Sequence, residues 1–276
     1  MKSILDRPFM VLFYMIIFTY SLNSQVSLPA IIASDMVLQR NTEVKLWGWA
    51  DAGEEITIKA SWLQGEIKTS ANGEGEWETT VETTSSRKEQ SLTFTGENSK
   101  IELENILFGE VWLCSGQSNM EMPIKGFGSQ PTFGRNEAIM SSHNSQLRLF
   151  TVERKGAKEP QNKIEKYRAW EEAGPQNVAD FSAVAYFYGS QLQEVLDVPV
   201  GIIHTSWGGS TIEAWMSEEV LSKYQEVNTD SADLSRANRE PTTLYNAMIH
   251  PLLNFTMKGV LWYQGESNRG NPEMYD

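Results

Sequence analysis

Gly109-Glu110-Val111-Trp112-Leu113-Cys114-Ser115-Gly116-Gln117-Ser118-Asn119-Met120 is the stretch where the chain changes its grammar. Val111 to Cys114 is an unbroken apolar run closed by small and polar residues, the pattern of a strand covered on both faces. Further apolar runs follow at 147–152, 198–205 and 259–263, each ending in polar or glycine residues. Between the first and second of these, Phe181, Val184, Ala185, Tyr188, Leu192, Val195 and Leu196 recur at helical spacing behind Asp180, a candidate N-cap. Apolar strands alternating with helices imply βα units and a mostly parallel sheet.

Ahead of residue 108 the period shortens. Alternating runs at 43–49, 55–62, 76–82, 91–95 and 100–106 are separated by turn residues, which is an antiparallel β pattern. The breaks include Ala52-Gly53 and Asn72-Gly73, and the second predicts a type I′ hairpin because both residues tolerate positive φ. The organisation expected is an antiparallel β-sandwich over 25–108, then an α/β domain over 109–276 with helices on both faces of its sheet.

The bulk properties narrow the function. A chain of 276 residues accommodates two ordinary domains, and 40% hydrophobic with 21% charged residues is the composition of a folded globular protein. A net charge of -13 repels phosphate backbones, so nucleic acid is excluded as a partner. The apolar run 9–22 follows Lys2 and Arg7 and gives way to Asn23, Ser24 and Gln25, the layout of a signal peptide over 1–24. Its length is short against the roughly 20 residues of a spanning helix. Export to the periplasm or the extracellular space follows, with no stable membrane association after cleavage. Cys114 is the only cysteine, so no internal disulfide forms, and its apolar strand makes it a small buried hydrophobe. No run of residues has zinc or calcium spacing, so no metal and no cofactor is expected. Oligomeric state leaves no trace in the sequence.

In open parallel sheets ligands bind beyond the carboxyl ends of the strands. Three segments occupy such positions: Ser115-Gly116-Gln117-Ser118-Asn119-Met120, Ser206-Trp207-Gly208-Gly209-Ser210 and Gln264-Gly265-Glu266-Ser267-Asn268. Acyl transfer needs a hydroxyl on a tight turn, N–H donors aimed at the developing oxyanion, a base, and an acid to orient it. Ser118 supplies the hydroxyl, Gly208 and Gly209 a backbone N–H open to close approach, and Gln264 or Asn268 a side-chain amide. Glu266 is placed to orient a histidine or bind substrate. Each segment also has an ordinary reading as a polar loop or helix N-terminus. The order is not Gly-x-Ser-x-Gly, which disfavours the common α/β-hydrolase elbow.

The run from Val111 to Met120, continuing through Glu121-Met122-Pro123, resembles the first sequence block of the sialic-acid-specific 9-O-acetylesterase family, a branch of the SGNH hydrolases. The stretch from Gly201 to Trp215, containing Ser206-Trp207-Gly208-Gly209-Ser210-Thr211-Ile212-Glu213-Ala214-Trp215, resembles its second block, and Leu261-Trp262-Tyr263-Gln264-Gly265-Glu266-Ser267-Asn268 its third. The stretch from Leu28 to Gln39, with Asp35-Met36-Val37-Leu38-Gln39, is similar to the opening of the β domain in bacterial members. The resemblance implies a flavodoxin-like SGNH sheet and hydrolysis of acetyl esters on a carbohydrate, sialic acid first, through an acyl-serine intermediate. It makes Ser118 the nucleophile and puts the N–H groups of Ser118 and Gly209 in the oxyanion hole. Gln264 or Asn268 completes that hole, and Glu266 is the acid of the triad or positions the sugar. Gln117, Asn119 and Glu213 are expected at the substrate.

One departure stands out. The family takes its base from a late Asp-x-x-His segment, and no aspartate here has a histidine three residues on. His143, His204 and His250 are the only histidines and read as structural, so the α/β domain is expected to be incomplete at its C-terminus. Two further readings are an acetylxylan-type esterase acting on plant polysaccharide and a non-catalytic carbohydrate-binding protein whose tryptophans stack on sugars.

Overall fold

The computed structural model describes residues 25–224, 227 and 232–270. The expected signal peptide lies outside the described residues. Eleven strands are formed among the described residues: β1 Val37–Gln39, β2 Glu43–Trp49, β3 Glu55–Ala60, β4 Ile67–Ser70, β5 Glu76–Glu82, β6 Gln90–Thr95, β7 Lys100–Gly116, β8 Asn144–Val152, β9 Tyr167–Ala173, β10 Val200–Ser206 and β11 Gly259–Tyr263.

Antiparallel pairing dominates the N-terminal part, with β2 against β5 and the order β4-β3-β6-β7. The C-terminal part is built on parallel strands, β10 pairing with both β7 and β8 while β11 pairs with β7. β9 closes the β8 edge in antiparallel sense. β7 belongs to both parts. Its first residues pair with β6, Leu107 to Gly109 pair with β1, and Glu110 to Gly116 pair with β10. The boundary expected near residue 108 therefore falls inside one continuous strand.

Two polar clusters fasten this junction. Glu110 is buried and takes Gln39 Nε2 at 3.0 Å and Arg40 Nε at 2.7 Å, while Gln39 Oε1 accepts the Val111 N–H at 2.9 Å. Burial raises the Glu110 carboxyl, and the hydrogen bonds from Gln39 and Arg40 outweigh it, so its pKa lies below the ordinary value. Arg148 of β8, 1% exposed, donates to Ser145 O, Asp35 Oδ1 and Asn105 Oδ1 at 2.8, 3.2 and 3.0 Å. A buried guanidinium is tolerated only when its donors are satisfied in this way.

One face of the parallel sheet is covered by the helix Ala183–Leu196, which packs Ala185 and Tyr186 with Leu147, Leu149, Val200 and Ile202. The other face joins a second apolar cluster that runs on into the N-terminal strands through Val37, Ile58, Phe94, Val111, Phe150, Trp170 and Met248. Cys114 is fully buried, and desolvation pushes its thiol up to about 12.

Two local expectations are corrected. The helix is capped by Ser182, whose Oγ accepts the Ala185 N–H at 3.2 Å, rather than by Asp180. At Asn72-Gly73 the chain turns through the Asn72 side chain, whose Oδ1 accepts the N–H groups of Glu74 and Glu76, each at 2.9 Å. The positive φ falls at Gly75, and β5 goes on to pair with β2 rather than with the preceding strand. An asparagine side chain mimicking a backbone turn displaces the type I′ hairpin.

Candidate active site

β10, β7 and β11 run parallel and side by side, so the loops after them emerge at one rim. Ser118 opens a short helix, Ser118–Glu121, directly after β7. Gly116 makes this exit possible. Its φ is 147°, and a Cβ there would stand 2.1 Å from the Tyr263 carbonyl oxygen. That closeness lets Gln117 N–H donate to Tyr263 O at 3.0 Å, so the chain leaves β7 still tied to β11.

The second loop lies against the serine. A Cβ added at Gly208 would be 3.6 Å from Ser118 Cβ and 2.7 Å from Glu121 Oε2. Glu121 Oε2 accepts the Gly208 N–H at 2.7 Å, while Glu121 Oε1 takes Arg154 Nε at 2.6 Å. The Arg154 guanidinium lies 5.7 Å from the centre of the Trp207 ring, and Asn238 Nδ2 donates to Gly208 O at 3.0 Å. Glu121 thus fixes the second loop to the helix that Ser118 opens. The sequence reading missed it, although a residue three positions after Ser118 falls on the same helical face. Gly209 adopts φ 72°, open to glycine at no steric cost. Among the described residues neither the Ser118 N–H nor the Gly209 N–H donates to a recorded partner. As the first helical residue, Ser118 has no acceptor within its own helix.

The third loop is locked to both others. Gln117, 2% exposed, turns its Oε1 to the N–H groups of Gly265 and Ser267 at 3.3 and 3.4 Å. Asn119 Nδ2 donates to Glu266 Oε1 at 3.0 Å, and Glu266 is exposed at the rim. Gln264 Nε2 donates to Ser210 O at 3.0 Å and to Asn268 Oδ1 at 2.8 Å, and its own buried Oε1 has no partner among the described residues. Asn268 Nδ2 donates to both oxygens of Glu213 at 3.1 and 3.0 Å, and its Oδ1 also accepts the Ile212 N–H at 2.9 Å. All eight residues expected at the site are therefore gathered around the three loops. Gln117 and Glu213, expected at the substrate, are directed here toward the third loop.

None of the histidines hydrogen-bonds Ser118 among the described residues. His204 Nε2 pairs with Ser206 Oγ at 2.8 Å, His250 Nδ1 faces Gln161 O at 2.9 Å, and His143 lies beside Gly174. Burial lowers the His204 pKa to about 4, so the ring is neutral at pH 7. A cleft of about 310 Å³ opens beside the first loop, lined in part by Glu121, Arg154, Asp180, His204 and Ser206. No group of three or more histidine, cysteine or acidic side chains able to hold a metal occurs among the described residues.

Residues 108–276 match the model of the carbohydrate esterase family of sialic acid-specific acetylesterases. The chain belongs to that family. Similar to this acetylesterase-family chain is the sialate O-acetylesterase of Homo sapiens, 31% identical over 271 residues, covering 89% of this chain and 50% of the relative. The enzyme of that name from Mus musculus is 32% identical over 213 residues, covering 64% of this chain and 39% of the relative. A crystal structure of a carbohydrate acetylesterase from Xanthomonas citri superposes with a TM-score of 0.77 at 33% identity, covering 88% of this chain and 52% of that one. The acetylesterase-family chain spans about half the length of the curated relatives it matches.

Proposed function

We propose that the full-length protein is an exported carbohydrate O-acetylesterase, acting on 9-O-acetylated sialic acid through an acetyl-serine intermediate. The observation that carries this reading is the convergence of three family blocks on Ser118, with the Gly208 backbone against its side chain. Ser118 Oγ attacks the acetyl carbonyl, its proton passes to a base, and the tetrahedral oxyanion collapses as the bond to the sugar oxygen breaks. The sugar alcohol leaves protonated. Water then hydrolyses the acetyl-serine by the same steps, releasing acetate.

The N–H groups of Ser118 and Gly209 form the oxyanion hole in this reading, each worth about 3 kcal/mol in the transition state. Gln264 and Asn268 reach an oxyanion only by giving up bonds to Ser210, Asn268 or Glu213, so we assign them to bracing the third loop. Asn119 and Glu266, paired at the rim, contact the sugar. None of the three histidines is the base in this reading, since His204 and His250 are engaged elsewhere and His143 lies beside Gly174. Residues 25–108 act as a β-sandwich module ahead of the SGNH-type domain, and the cleaved product is periplasmic or extracellular.

The test is acetate release by the full-length protein from 9-O-acetylated sialic acid. Ser118→Ala should lower turnover by at least about 10³-fold, with loss of Ser118 labelling by a serine-directed phosphonate. Undiminished turnover removes the mechanism. Release from acetylated xylan alone keeps the mechanism and moves the substrate to plant polysaccharide.

A further inference from the structure

A second cleft, of about 290 Å³, lies between the outer face of the β2–β5 ladder and residues 250–254, and it shares no residue with the three loops around Ser118. The strand period sets its chemistry. Trp47 and Trp49 stand two apart on β2, so both point to one face, and each is directly opposite a glutamate of β5: Trp47 faces Glu78 and Trp49 faces Glu76. Trp47 is buried in the apolar cluster that includes Met248, Leu252 and Phe255, whereas Trp49 is half-buried, so Glu76 and Glu78 line the open edge of that cluster beside the Trp49 ring. Alternating indole planes and carboxylates suit a pyranose ring, which offers an apolar face of C–H groups and a rim of hydroxyls.

Acceptors for those hydroxyls converge on the same space. Glu76 uses Oε1 for Asn162 Nδ2 at 3.3 Å and Glu78 uses Oε2 for Lys45 Nζ at 2.9 Å, which leaves the other oxygen of each without a recorded partner among the described residues. His250 Nδ1 meets a carbonyl, which only accepts, so Nδ1 carries a proton and Nε2 takes no part in that contact. Asn72, Asn162 and Asn254 add amides to the wall. The exposed Lys163 ammonium lies 4.1 Å from the centre of the Trp49 ring, a weak contact that marks a π face reachable from solvent.

We propose that this cleft binds a neutral saccharide unit, stacked on Trp49 and held through its hydroxyls by Glu76, Glu78 and His250. The two carboxylates disfavour an anionic sugar, so the ligand is not sialic acid. This assignment goes beyond the ester site and stands on different residues.

The test uses the full chain carrying Ser118→Ala, so that no probe is turned over, with tryptophan fluorescence and saturation-transfer NMR read against cellohexaose, xylohexaose, lacto-N-tetraose and sialyllactose. We expect saturable millimolar binding of a neutral oligosaccharide, weakened about tenfold or more by Trp49→Ala and by Glu76→Gln. If Trp49→Ala does not fold, Asn162→Ala together with Glu76→Gln carries the same test. No binding of any neutral probe overturns the proposal, as does binding that survives these substitutions in a folded protein. Tighter binding of sialyllactose than of every neutral probe also overturns it.

Discussion

Strand β7 carries two burial patterns on one backbone. From Lys100 to Asn105 exposed and partly or fully buried residues alternate, with Lys100, Glu102 and Glu104 exposed, whereas from Ile106 to Gly116 every residue is buried except the half-buried Trp112. The first half pairs antiparallel with β6, and the second lies among the parallel strands β10 and β11. A strand with one face toward solvent shows period two, and a strand covered on both faces loses it. The pattern of a strand thus reports what covers it, and two patterns do not imply two strands.

The contrast is broken most severely at its C-terminal end. Gly116→Ala puts a methyl group 2.1 Å from the Tyr263 carbonyl at a φ that alanine resists, so β7 and β11 separate. We expect a loss above about 4 kcal/mol in denaturant unfolding, together with loss of the proposed esterase activity. Leu103 and Leu113 sharpen the comparison, being the same residue type with the same 7% exposure in the two halves. Each changed to alanine should cost about 2–5 kcal/mol. Leu113→Ala should also lower kcat, because its half of the strand positions Ser118, while folded Leu103→Ala should keep kcat unchanged.

A pH titration probes the covered half through its neighbour β10. The folded His204 pKa of about 4 lies below the unfolded value of 6.5, so between these pH values the unfolded chain binds more protons. Stability contributed by His204 is complete above pH 6.5 and falls as pH drops toward 4, by about 3 kcal/mol. His204→Asn should flatten that part of the stability curve relative to the parent. The smallest effect belongs to the open face: Glu102→Thr should stay within about 0.5 kcal/mol.

Much of this was legible in the sequence. Alternation located β2 and β5 to the residue, and the unbroken apolar runs located β8, β10 and β11 to within a few residues. The three loops follow from placing polar residues after parallel strands. Continuity of β7 was not legible, because Leu107, Phe108 and Gly109 sit where one period gives way to the other. β9 escaped because Tyr167–Ala173 buries only Trp170 and Ala173, leaving too few apolar positions to set a period. The commitments of Gln264 and Asn268 depend on which acceptors stand opposite once the loops meet, and spacing along a chain does not encode that.

The unbroken course of β7 constrains how such a protein can change. Side chains along a strand swap sides at each step, so one residue added or lost near Gly109 would invert everything downstream of it. Cys114 and Ser115 would trade places across the sheet, and Ser118 would leave the rim. Length variation at this junction should therefore come in pairs of residues or not at all, and a graft of a foreign front module would have to be spliced with the same parity.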